Sequence, residues 1–155
     1  MLDMPAFMGV EQFEKNVVFT RKDIEGCVKT QALTVRAGDA ILVRTGYLAR
    51  WDGRGENPEG GQGGLGLDVA GYLIENNVAL IGADNVVEAL WAEDEAKGEW
   101  LELRVELIRN RGMNVLENAY LEELARDRVY EFLLTVAPLN ISGATHSPIN
   151  PIAIA

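Results

Sequence analysis

Glu117 closes a short apolar run, Met113-Asn-Val-Leu116, and is followed by Asn118. A carboxylate placed against a core must find a cation or hydrogen-bond donors, so Glu117 is the first residue to ask about. Other residues invite chemistry less strongly. Cys27 falls on one helical face with Ile24 and Val28, a core position, and the sequence places no His or Lys to activate it as a nucleophile. Arg44 and Thr45 end an apolar run and could line a pocket, although an Arg there more commonly bonds carbonyls or a carboxylate. His146 stands in a Pro-bounded turn, and one imidazole makes no metal site without partners.

Two stretches imitate known ligand loops. Gly61-Gln-Gly-Gly-Leu-Gly66 matches the G-x-G-x-x-G spacing of a dinucleotide loop, with Asp84 near the expected distance downstream. Such a loop needs its first Gly directly after a strand, so that the helix N-terminus meets the pyrophosphate. Here about ten residues separate it from Trp51, and the stretch reads as a mobile surface loop or lid. Glu93-Asp-Glu-Ala-Lys-Gly-Glu99 is acidic but lacks the ligand order of a calcium loop, and reads as a solvated loop.

The elements that must position these residues follow from periodicity. Thr20-Arg-Lys-Asp23 has the spacing of a capping box and opens a helix over 21–31. Gly38-Asp39 turns into a nearly continuous apolar strand, Ala40–Thr45, expected in the middle of a sheet. An amphipathic helix over 67–76 leads to a strand at Val78–Ile81, and this alternation implies parallel pairing. The run 100–110 has helical spacing wide enough to pack on a sheet, and Met113–Leu116 is a strand. Asn118 is expected to cap a helix over 119–125, and Tyr130–Val136 alternates as a strand that Pro138 ends. Leu2–Val10, rich in Met and broken by Pro5, reads as an edge strand or an arm.

The whole chain sets outer limits. Its 155 residues suit a single domain with a genuine core, and 48% hydrophobic with 25% charged residues is ordinary globular composition. A net charge of -10 argues against nucleic acid or an anionic membrane as partner. One cysteine excludes an internal disulfide and fits a reducing cytoplasm. No apolar run approaches the ~20 residues of a transmembrane helix, and Met1-Leu-Asp3 shows no basic leader segment. A cytoplasmic protein is expected. Its abrupt apolar start also suggests uncovered surface, hence a homodimer or larger homo-oligomer.

The run Arg104-Val-Glu-Leu-Ile-Arg-Asn-Arg-Gly-Met-Asn-Val-Leu-Glu-Asn118, followed by Leu121-Glu-Glu-Leu124, resembles the cyclase family of metal-dependent hydrolases, which includes kynurenine formamidases (arylformamidases) and isatin hydrolases. Gly38–Gly46, Val78–Asp84 and the closing Ala137–Ala153 segment resemble it as well, with His146 where a Gly is common. The resemblance implies an α/β fold with a mixed, twisted, partly barrel-like sheet and peripheral helices, and hydrolysis of amides or cyclic amides with Zn²⁺ or Mn²⁺. It implies that Glu117 is the family's metal ligand, that Asp84 is structural, and that a family His stands at or beside Arg104. The family's H-x-G-T-H-x-D ligand motif lies upstream of the region of similarity, and this chain has neither that motif nor two histidines. Residues 1–155 are therefore read as one cyclase-family domain lacking its N-terminal part, either a piece of a longer enzyme or a shortened homologue. Inactivity or incompleteness of this chain alone is expected, with no tightly bound metal and Arg104 forking onto Glu117 as a fixed cation. A non-catalytic scaffold binding a small molecule or a protein is the alternative.

Overall fold

A computed structural model describes residues 1–54, 60–89 and 102–155. Trp100, Leu101, the acidic run 93–99 and loop residues 55–59 lie outside the described residues. Four parallel strands form the main sheet: β1 (Leu2–Asp3), β3 (Ala40–Arg44), β5 (Leu80–Ala83) and β6 (Asn114–Leu116), in the order β1-β3-β5-β6. β2 (Val17–Phe19) and β4 (Gly63–Leu65) form a second parallel pair, and β7 (Leu133–Thr135) and β8 (Ile152–Ile154) an antiparallel ribbon. The helices are peripheral: α1 (Met4–Met8), α2 (Arg21–Thr30), α3 (Val69–Glu75), α4 (Glu102–Arg104, continuing as a π-helix over Val105–Asn110) and α5 (Glu122–Arg126). The result is the mixed α/β class with peripheral helices.

The period-2 alternation of β3 builds a core on each face of the main sheet. Ile41 and Val43 join Leu2, Ile81, Phe19, Ile24, Leu73 and Leu107 on one side, while Leu42 joins Met1, Leu116 and Leu121 on the other. Gly82 is needed between these strands, since a Cβ there would lie 2.7 Å from Leu42 Cδ2 and 2.9 Å from the Leu116 carbonyl oxygen. α2 starts with the expected capping box. Thr20 Oγ1 accepts from Asp23 N, and Asp23 Oδ2 accepts from Thr20 N at 2.8 Å.

Several expectations are corrected. The Leu2–Val10 segment is an edge strand for two residues and then a helix, capped by Asp3 accepting from Ala6 N, with Pro5 in the first turn and Gly9 in the left-handed region. Its residues 1–5 are buried, so the apolar start leaves no uncovered surface there. β5 sits at 80–83 rather than 78–81, because Val78 N still donates to Leu73 O at the helix exit and only Leu80 begins pairing. Asn118 does not cap α5: it has φ 56° and donates its N–H to Asn85 O, and α5 begins at Glu122 behind Leu121. The strand expected over 130–136 pairs only at 133–135.

The largest correction concerns the Gly-rich stretch. Gly63-Gly-Leu65 is a buried strand, not a surface lid, and its glycines permit close approach. A Cβ on Gly63 would stand 2.0 Å from the Phe19 ring, and one on Gly64 would stand 2.6 Å from the Ala89 backbone. The G-x-G-x-x-G spacing here is a packing pattern between strands, and the motif's helix-opening loop is absent.

Candidate functional site

The parallel sheet brings the carboxyl ends of β3, β5 and β6 together, the edge at which α/β sheets bind ligands. Beyond β3, Thr45 and Gly46 meet Asp84 from the end of β5. Asp84 Oδ1 accepts from Thr45 N at 2.8 Å and Thr45 Oγ1 at 2.7 Å, and Oδ2 accepts from Gly46 N at 2.7 Å. Burial pushes the Asp84 carboxyl above the ordinary carboxylate range, against the opposing pull of these donors. Asp84 thus ties two strand ends together, a structural role. Asn85 donates Nδ2 to Gly63 O at 2.8 Å and to Gln62 Oε1 at 3.3 Å, joining the main sheet to β4, while its buried Oδ1 has no partner.

Glu117 is placed by the backbone. Asn118 N donates to Asn85 O at 3.2 Å and Ala119 N to Ala83 O at 3.0 Å, so the chain leaving β6 is clamped to the end of β5. Across from it stands Arg104, carried by α4, whose Leu103 and Leu107 are buried in the core. Arg104 Nη2 donates to Glu117 Oε1 at 2.5 Å, and Arg104 Nε to Glu88 Oε1 at 2.6 Å. Glu88 Oε2 also accepts from Arg104 N at 3.2 Å. The guanidinium therefore bridges two carboxylates rather than forking onto one. π-helical winding begins at the next residue, Val105, and such segments frequently mark functional positions.

Glu88 is the site residue that the sequence reading missed. Its side chain is only 5% exposed, against 28% for Glu117, and its backbone bridges to Leu65 of β4. The signal was available: Glu88 interrupts Val86-Val87 and Ala89-Leu90, the same intrusion of a carboxylate into an apolar run that drew attention to Glu117.

The other candidates are dispersed. Arg44 Nε and Nη2 fork onto Glu122 at 2.9 and 2.7 Å, and its Nη1 reaches Asp3 Oδ1 at 2.8 Å, so it clasps β1 and α5 to β3. Cys27 is buried, with Sγ 3.1 Å from Gln31 Oε1, and burial pushes its thiol up to about 12. His146 is exposed, 3.0 Å from Thr145 Oγ1.

Two hollows adjoin these elements. A cleft of about 380 Å³ lies between Leu33–Ile41 and Tyr130–Leu134, at the amino ends of β1 and β3, opposite to Glu117. The recess at Arg104 holds about 10 Å³, between Val87, Leu103, Leu107 and Val115. We assign chemical interest to the smaller one because charged groups converge there, at the carboxyl edge of the sheet.

The residues present do not fit the family's metal. Both carboxylates that face the site are engaged by Arg104, whose guanidinium has no lone pair to give. Among the described residues no group of three or more His, Cys, Asp or Glu side chains could hold an ion.

Comparison with known proteins places the chain. Residues 1–87 match the family described as "Putative cyclase". A crystal structure described as a novel cyclase is 31% identical, with TM-score 0.85, covering 99% of this chain and 51% of that one. An isatin hydrolase bound to the product analogue thioisatinate shares the fold at 20% identity and TM-score 0.72, covering 98% of this chain and 57% of that one. A potential metal-dependent hydrolase with cyclase activity does so at 19% identity and TM-score 0.59, covering 89% and 58%. No curated protein matches. The chain spans somewhat over half the length of these solved structures. On the match over 1–87 and the 31% identity across 99% of the chain, this chain belongs to the cyclase family.

Proposed function

We propose that this chain is part of a cyclase-family hydrolase scaffold in which Arg104 stands where the family places a metal-directed His, so that the chain alone neither holds Zn²⁺ or Mn²⁺ tightly nor hydrolyses amides. The observation that carries this reading is the bridge from Arg104 to Glu117 and Glu88. A guanidinium there supplies fixed positive charge to two carboxylates that would otherwise need an ion. It offers no open coordination position and no metal-activated water, the two features that metal-assisted hydrolysis requires. The family's H-x-G-T-H-x-D ligands would have to come from polypeptide beyond these residues. Assay of the purified chain with N-formylkynurenine and with isatin, in added Mn²⁺ or Zn²⁺, tests it: no turnover above the metal-only rate is expected, and saturable turnover lost in Glu117→Gln would overturn it.

A second reading, a non-catalytic module for a small ligand, draws on the cleft of about 380 Å³, which lies within the size range of small-molecule sites. Its walls combine Leu2, Leu33 and Phe132 with Arg36 and Asp39. Fragment screening by ligand-observed NMR, with Phe132→Ala as control, tests that reading.

A further inference from the structure

One dipeptide away from the Arg104 site is arranged for chemistry on its own backbone. Asp52 is followed by Gly53, whereas every other Asp and Asn of the chain is followed by a residue that carries a Cβ. A Cβ crowds the peptide nitrogen between two residues, and glycine leaves that nitrogen open to close approach. The dipeptide lies just beyond the single 3₁₀ turn Leu48–Arg50 that follows β3. The Asp52 side chain is 62% exposed, and the Cβ position of Gly53, which has φ 78°, meets no atom within 4 Å. Asp52 Oδ1 accepts from Arg54 N at 2.9 Å, a ring that curls the carboxyl over the Gly53 peptide. The Arg54 guanidinium stands at the other oxygen, with Nε 3.9 Å from Oδ2.

These groups match the parts of an intramolecular acyl transfer. The Gly53 nitrogen is the nucleophile, Asp52 Cγ the electrophile, and the Arg54 N–H a donor at the oxygen where negative charge develops. The bond from Gly53 N to Asp52 Cγ forms as the Cγ–OH bond of the protonated carboxyl breaks, and the hydroxyl leaves as water with the Gly53 amide proton. The product is a five-membered succinimide. Water then adds to one of its two carbonyls. Opening at Cγ restores aspartate, and opening at the Asp52 main-chain carbonyl gives isoaspartate, in which the backbone runs through the side chain and gains a methylene. Water is the only co-reactant.

We propose that Asp52–Gly53 is a modification site of the folded chain, which isomerises there spontaneously to isoaspartate. The class of enzyme that acts on this product is a methyltransferase esterifying the freed main-chain carboxylate. The fold accepts the longer backbone because both stems are anchored: Trp51 N donates to Leu48 O at 3.2 Å, and beyond the loop Gly61 O accepts from Arg50 Nη2 at 2.7 Å while Gly61 N donates to Phe13 O at 2.8 Å. The proposal involves neither Arg104 nor a metal.

Ageing of the folded chain at physiological temperature, followed by tryptic digestion, tests it. Trypsin cuts after Arg50 and Arg54 and releases Trp51-Asp-Gly-Arg54 as one peptide. A second form of this peptide, equal in mass but separate on reversed-phase chromatography, is expected to grow with time. It should take up methyl groups from S-adenosylmethionine and an isoaspartyl methyltransferase, and a species lighter by one water should precede it. Asp52→Glu, which would need a six-membered imide, should abolish the second form, and Gly53→Ala should slow its growth severalfold. A peptide that stays single in the folded chain, whether or not it splits when the chain is held unfolded in guanidinium, would overturn the proposal. Methyl uptake undiminished in Asp52→Glu would overturn it as well.

Discussion

Arg104 stands 2.5 Å from Glu117 and has its other arm 2.6 Å from Glu88, so the carboxylate at the end of β6 is coupled through one guanidinium to a carboxylate beside β4. The two acids are unequal. Glu88 is nearly buried and Glu117 more than a quarter exposed, so loss of the cation strands chiefly Glu88. Arg104→Ala should destabilise the fold by about 2–4 kcal/mol, below the full cost of a broken buried pair because Arg104 is itself 30% exposed. Adding Glu88→Gln to Arg104→Ala should recover part of that loss, whereas adding Glu117→Gln should recover less. Urea unfolding of the single and double variants checks the ordering.

Asp84 gives the fold a pH dependence of defined sign. Its native carboxyl lies above the ordinary range because it is buried, so the native state holds this proton more tightly than the unfolded chain. The contribution from Asp84 is full below the unfolded value and is lost as pH rises through the native value. Asp84→Asn should remove that slope. It should also cost about 1–3 kcal/mol, because an amide accepts through one oxygen only where Thr45 and Gly46 present three donors. Thermal melts of both proteins from acid to neutral pH test the sign and the cost.

Cys27 should be inert in the native protein. With its thiol pushed up to about 12 by burial, neither thiolate nor access is available near neutrality. Labelling by a thiol reagent at mildly alkaline pH should follow the global unfolding rate. Rapid stoichiometric labelling without denaturant would contradict the packing described for α2.

The Gly-rich stretch should behave as a strand. Gly63→Ala, with Phe19 closing on its Cβ position, should destabilise by about 1–3 kcal/mol, or more if the ring cannot yield. Calorimetric titration with NAD and ATP should give no heat of binding. Micromolar binding of either, abolished by Gly63→Ala without loss of fold, would restore the nucleotide reading.

Elements with a strong local signature were legible in the chain. The Thr20–Asp23 box, the apolar run of β3 and the apolar face of α3 appear where periodicity puts them, because capping and burial act within a few residues. The meeting of Arg104 with Glu117 was legible only through the family resemblance, since nothing local shows which way a helical Arg points. β2 and β4 were not read, because two of the three β4 residues are glycines, whose reason is a tertiary contact with Phe19 and Ala89. α1 was missed although its signature was present: Asp3 as cap, Pro5 in the first turn and Gly9 at the exit were outweighed by reading Pro5 as a breaker. The α5 boundary failed because Asn118, a good cap by type, is held in the left-handed region by the clamp onto Asn85.

Titration of the purified chain with Mn²⁺ by isothermal calorimetry, with elemental analysis of the unsupplemented protein, tests the substitution of arginine for metal most directly. The account predicts no stoichiometric metal and no saturable heat that depends on Glu117 or Glu88. One equivalent of tightly held Mn²⁺ or Zn²⁺, lost in Glu117→Gln, would contradict it, because Arg104 and an ion cannot both occupy the space between those carboxylates.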